Sequence, residues 1–247
     1  MSGPNRSTAV MQRRKVAPDS LDYFPTPPFA TRALCEFLSN GPPGEPLADL
    51  SVWEPACGEM HMVAPLREYF RQVRVSDVQG YGDHELIDFP LLGRFSGEGG
   101  VSCDWVITNP PFRLAEAFIQ TGLQVAGRGV AMLLRGAFLE GQDRYASLFE
   151  QTPPDYVLQF AERVVMLEGR LIRAGEVDPF ADKAGTKAST ATSYCWFVWL
   201  GHGFGWRDTR LRWIGPCRQQ LERPGDYPDY QAEAPRQDGG LFAGEAA

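Results

Sequence analysis

The sequence is poor in the residues that hold metals. It has 3 histidines (His61, His84, His202) and 5 cysteines (Cys35, Cys57, Cys103, Cys195, Cys217). No two cysteines form a C-x-x-C pair and the histidines show no ligand spacing, so no metal site is expected. The odd cysteine count, in a chain long enough to build an ordinary core, argues against a disulfide framework and for thiols kept in a reducing cytoplasm. No apolar run approaches the roughly 18 residues of a membrane-spanning helix. The first twenty residues lack the apolar stretch of a secretory signal. No repeat is visible, and the G-x-x-x-x-G-K-S/T phosphate loop is absent. Basic excess is lacking too. The 24 Lys and Arg against 31 Asp and Glu leave a net charge of −7, which by itself speaks against a non-specific nucleic-acid binder.

What is present is the composition of a folded α/β protein. Of the 247 residues, 43% are apolar and 22% charged. Residues 1–20 read as a flexible basic arm carrying Arg13, Arg14 and Lys15. Residues 21–213 read as one domain, and 214–247, with little apolar content, as a mostly disordered tail. Within the domain, Leu34, Phe37 and Leu38 share a helical face. Short apolar runs follow at SVWE, QVRVSD, CDWVIT, GVAMLLR, DYVLQF and SYCWFVWLG. Helical segments separate several of them, including one with Pro65 in an awkward place and one with Leu114, Phe118 and Leu123 near one face. Strands alternating with helices predict a doubly wound, mostly parallel sheet, and runs without alternation predict strands buried on both faces. The last strand is expected to be antiparallel. Residues 167–192 interrupt the pattern with a long polar segment.

The sharpest motif is Asn109-Pro110-Pro111-Phe112, directly after the strand DWVIT. Carboxyl ends of central strands are where such sheets place ligands. The prolines lack N–H groups and stiffen the turn, which leaves backbone carbonyls free to accept. With the Asn109 amide oxygen they suit the two N–H donors of a planar exocyclic amine. Phe112 offers a face on which a base can stack. An aromatic amine is a poor nucleophile because its lone pair is delocalised into the ring. Two acceptors on its N–H groups favour a more tetrahedral nitrogen and stabilise the positive charge that grows during attack. A methyl group held on a sulfonium would then transfer in line, without a metal or a covalent enzyme intermediate. Alone, the same tetrapeptide is also a plain turn.

The surrounding motifs complete a pattern. Glu54-Pro55-Ala56-Cys57-Gly58 follows the first strand and looks like the first motif of class I methyltransferases that use S-adenosylmethionine. Met60 stands where that motif commonly has a second glycine. Asp77 ends the second strand, Asp88-Phe89 follows a polar stretch, and Tyr23-Phe24-Pro25-Thr26-Pro27-Pro28 precedes them all. In this order the chain resembles the N6-adenine DNA methyltransferases of phages and prophage-like elements, in the motif arrangement called gamma. The resemblance implies a Rossmann-like fold and S-adenosylmethionine as cofactor. It implies cofactor contacts at Thr26, Pro27, Glu54, Pro55, Ala56, Cys57, Gly58, Asp77, Asp88 and Phe89. It makes Asn109, Pro110, Pro111 and Phe112 the catalytic loop acting on adenine N6 in DNA.

A base inside a duplex must be flipped out to reach such a loop. Within 167–192, Arg170, Arg173 and Lys187, with Ser189 and Thr190, are candidate DNA contacts, against the alternative of a mobile solvated insertion. Related tetrapeptides also serve amino-group methylation in RNA and of protein glutamine. Those readings stay open, as do a catalytically idle binding module and a homodimer. Pro216-Cys217 reads as tail rather than as a nucleophile, and Trp196, Phe197 and Trp199 read as core.

Overall fold

The structure is a computed structural model that describes residues 22–95, 102–201 and 208–230. The expected basic arm at 1–20 and the end of the expected tail, 231–247, lie outside the described residues. The chain runs α1 (Pro28–Asn40), β1 (Ser51–Glu54), α2 (Val63–Tyr69), β2 (Gln72–Asp77), β3 (Glu85–Leu86), α3 (Phe89–Phe95) and β4 (Cys103–Thr108). It continues with α4 (Ala115–Val125), β5 (Ala126–Arg135), α5 (Gln142–Arg144), β6 (Tyr156–Phe160), β7 (Tyr194–Leu200), β8 (Arg210–Ile214) and α6 (Arg218–Leu221). The strands form one sheet in the order β3-β2-β1-β4-β5-β7-β6-β8. Only β7 runs against its neighbours, β5 and β6. It is the penultimate strand. Ahead of the tail, Arg210–Ile214 adds one more strand, parallel to β6. Its residues are half-buried or exposed, so it lacks the apolar run that marks the others.

Both faces of the sheet are covered, which explains why the strands read as runs. Along β5, Ala131 and Leu133 enter a core with Leu34, Leu38, Trp105 and Trp196. Val130, Met132 and Leu134 enter the opposite core with Trp53, Phe118, Phe197 and Trp199. Three buried indoles are satisfied: Trp53 Nε1 donates to Ser76 Oγ, Trp196 Nε1 to the Ala30 carbonyl and Trp199 Nε1 to the Thr152 carbonyl, whereas the buried Trp105 Nε1 has no partner among the described residues. Among the described residues no helix is long and apolar enough to cross a membrane.

Three local expectations change. Pro65 is the third residue of α2, in the first turn, where its missing N–H has no helical partner to lose. Leu114 precedes α4 in a 3-10 turn and is 47% exposed, so it does not share the buried face of Phe118. Residues 215–230 are not loose chain. Glu162 Oε1 accepts from the Cys217 and Arg218 N–H groups, and the Arg32 guanidinium binds the Leu221 carbonyl and the Asp226 carboxylate. Sparse apolar content hid this docking because ion pairs make it.

Candidate active site

The sheet order reverses between β1 and β4, where the chain departs to opposite sides and a crevice opens at the carboxyl ends. A cavity of about 160 Å³, open to solvent at its mouth, lies there. Of the residues expected at the site, Thr26, Pro55, Ala56, Cys57, Asp77, Asp88, Phe89, Asn109 and Pro111 line it. Pro27, Glu54, Gly58, Pro110 and Phe112 stand behind or beside the wall. Pro27 caps α1, and Phe89 packs edge-on to Trp53 as well as facing the cavity.

The turn after β1 is shaped by two left-handed residues. Gly58 has φ +48°, and a Cβ there would come 2.5 Å from Tyr23 Cε2. Met60 has φ +67°, a conformation that disfavours any side chain. The structure thus takes the glycine-like backbone at the position where the related motif commonly has glycine. The Gly58 N–H donates to Asp77 Oδ2 (2.9 Å) and the Gln79 N–H to Asp77 Oδ1 (2.9 Å). Each carboxylate oxygen keeps a further lone pair for a ligand. Glu54 is 0% exposed, with Oε1 accepting from the Ala56 N–H and Oε2 unpartnered. Burial pushes its carboxyl up to about 8. The Ala56 N–H pulls it back in part, and Asp77 pushes it further up.

The Asn109-Pro110-Pro111-Phe112 loop is oriented by the segment before α1. Asn109 Nδ2 donates to the Phe24 carbonyl (2.7 Å) and touches Met166 Sδ (3.8 Å). A carbonyl accepts only from the amide nitrogen, so the Asn109 oxygen must point the other way. That oxygen is buried and unpartnered. The Pro111 carbonyl accepts from the Leu114 N–H, whereas the Pro110 carbonyl has no partner among the described residues. Of the two carbonyls expected to be free, Pro110's is the one available. The Phe112 N–H donates to Asp22 Oδ2 (2.8 Å). The Phe112 ring is not bare. It lies 5.4 Å from the Phe24 ring, 6.2 Å from Tyr194 and 3.9 Å from the Arg135 guanidinium.

Several of these residues escaped the sequence reading. Asp22 and Phe24 act through one carboxylate and one backbone carbonyl, and a carbonyl leaves no mark in a residue type. Tyr23 and Tyr81 stack at 5.3 Å beside the cavity, and Tyr23 Oη accepts from the Glu59 N–H. Met166 and His61 have no spacing that marks them.

The segment 167–192 is folded down. Val165, Ile172 and Ala188 form a small core, and Gly169 N–H donates to the Tyr23 carbonyl. Two expected phosphate contacts are otherwise engaged. Arg170 pairs with the buried Asp178 (2.7 Å) and Arg173 with Glu222 (2.7 Å). Asp178 is interleaved with the bases in sequence, and Glu222 comes from the tail. Lys187 and Ser189 are exposed, and Thr190 Oγ1 accepts from the Thr192 N–H.

No protein-family model matches the chain. No curated protein matches it either. Solved structures do. The type I restriction-modification system methyltransferase subunit from Streptococcus thermophilus superposes with a TM-score of 0.50 at 12% identity, over 77% of this chain and 46% of that one. A modification subunit attributed to a type I restriction enzyme of Vibrio vulnificus YJ016 gives 0.50 at 15% identity, over 81% and 48%. The fold is therefore the Rossmann-like fold of methyltransferases. The chain spans about half the length of those two subunits.

Proposed function

We propose that the chain transfers a methyl group from S-adenosylmethionine to the exocyclic N6 amino group of adenine in DNA. The observation that carries this reading is the buried, unpartnered Asn109 oxygen on a cavity shared with Thr26, Asp77 and Asp88. An acceptor left without a partner in a buried site costs free energy unless a ligand satisfies it. The cofactor residues fit the group: Asp77 would take the ribose hydroxyls and Asp88 the adenine amino group, while Gly58 lets the backbone close on Tyr23. When bound, the cofactor supplies an electrophilic methyl on a sulfonium.

This chain's own residues then act on the acceptor. Asn109 Oδ1 and the Pro110 carbonyl accept the two N–H groups and localise the lone pair on nitrogen. The amine nitrogen would gain the methyl and lose its surplus proton to water, while the electron pair of the S–C bond would stay with the cofactor. A duplex base must first leave the stack, at roughly a few kcal/mol. The type I subunits of the same fold are consistent with a DNA substrate. The test is nucleoside mass spectrometry after incubation of the protein with DNA and labelled cofactor, with Asn109→Ala as control. Labelled N6-methyladenine from the native chain alone is expected. Label in RNA or in protein glutamine, with none in DNA, overturns the substrate assignment.

A further inference from the structure

Arg135 ends β5 beside the catalytic loop. That strand runs parallel to β4, with Met132 next to Thr108, so its end reaches the level of Pro111 and Phe112. The Arg135 guanidinium sits 3.9 Å from the centre of the Phe112 ring and 5.8 Å from that of Phe24. The side chain is exposed. Among the described residues eight other arginines are ion-paired. Arg135 has no carboxylate partner among them, in a chain of net charge −7. The Arg135 guanidinium is thus uncompensated by any carboxylate among the described residues and rests on the ring meant to receive a base.

We propose that Arg135 occupies two positions: on the Phe112 ring when no substrate is bound, and on a DNA backbone phosphate beside the target nucleotide when a base takes the ring. The inference rests on the function proposed above. A single ring face cannot hold a guanidinium and a base together. Base stacking on an aromatic face is worth more than a cation–π contact at an exposed site, so the base displaces the arginine. The displaced fork of N–H donors matches a phosphate in bidentate geometry. Arg135 is exposed, so the displaced fork can reach a phosphate on the solvent side of the loop. This residue takes over the role that Arg170 and Arg173, already paired, do not leave free.

The experiment is equilibrium binding of the native chain, R135A and R135K to a 20-base-pair DNA duplex over a series of salt concentrations. Thermal melting and cofactor calorimetry on the same variants check the fold. Loss of one phosphate contact lowers the slope of log affinity against log salt by about 0.9. That loss is expected for R135A, with the slope restored in R135K and cofactor affinity unchanged in both. An R135A slope equal to the native one overturns the proposal, as does a loss seen with an RNA duplex but not with DNA. A native chain that shows the Arg135-dependent slope yet forms no N6-methyladenine overturns the function above and leaves the phosphate contact standing. A native chain that binds no DNA overturns both.

Discussion

The side-chain amide of Asn109 donates to the backbone carbonyl of Phe24 at 2.7 Å, across 85 residues of sequence. This bond decides which end of the amide faces the cavity. With Phe112 N–H on Asp22, it ties the Asn109–Phe112 loop to the segment that also supplies Thr26. The loop is therefore set by a neighbour in space before any substrate arrives.

Under the proposed function, removing the amide should slow chemistry and spare cofactor binding. Asn109→Ala deletes an acceptor that works on the developing charge, an effect of about 10²–10³ in rate for comparable preorganised groups. Asn109→Asp should be equally slow and also less stable, because a carboxylate oxygen would then face the Phe24 carbonyl. Single-turnover methylation with parallel cofactor calorimetry checks both. A rate loss that tracks lost cofactor affinity would count against the assigned role.

Gly58 and Met60 should respond oppositely to substitution. Gly58→Ala places a Cβ 2.5 Å from Tyr23 at a positive φ, so a loss of about 1–3 kcal/mol is expected, together with weaker cofactor binding. Met60→Gly relieves a left-handed residue worth about 1–2 kcal/mol while adding freedom to the unfolded chain worth about 0.4–1. Its stability should match or exceed that of the native chain. Denaturant titration of the two variants reads both signs.

Glu54 makes stability depend on pH in a definite direction. Its folded carboxyl is raised to about 8 from an ordinary 4.5, first by burial. Between those values the unfolded chain has released a proton that the folded chain keeps, so stability falls as pH rises, by at most about 1.4 kcal/mol per unit from this group. The contribution is fully present below the unfolded value and lost above the folded one. Glu54→Gln keeps the Ala56 N–H satisfied and carries no charge. Its stability advantage over the native chain should grow from pH 5 to pH 8, and parallel denaturation curves would refute this.

Legibility followed the kind of interaction involved. The alternation of apolar runs with helices predicts the doubly wound sheet because burial on two faces leaves a strong pattern in residue type. The cofactor-side motif and Asn109 converge on one cavity because a strand end carries its turn with it. The orienting contacts are hidden, since Phe24 acts through its backbone and Asp22 through a bond 90 residues long. The edge strand at Arg210–Ile214 is hidden because it buries little. The pairing of Arg170 and Arg173 is hidden for a related reason: a charge counted along the sequence says nothing of the carboxylate that the fold brings beside it.

The docked segment after β8 offers the clearest test of that last point. Arg32 is buried beneath it, with 3% of its side chain exposed, and pairs with Asp226, itself 6% exposed, and with Glu68. Breaking a buried pair by removing one partner costs about 3–5 kcal/mol, because the survivor keeps its burial and loses its compensation. Asp226→Ala should fall at the low end of that range, since Glu68 still holds the guanidinium. Arg32→Ala should fall higher, as it strands Asp226 and frees the Leu221 carbonyl at once. Amide exchange should then rise over residues 218–230 before it rises in the sheet. If these residues exchange freely in the native chain, the ion pair does not hold the segment.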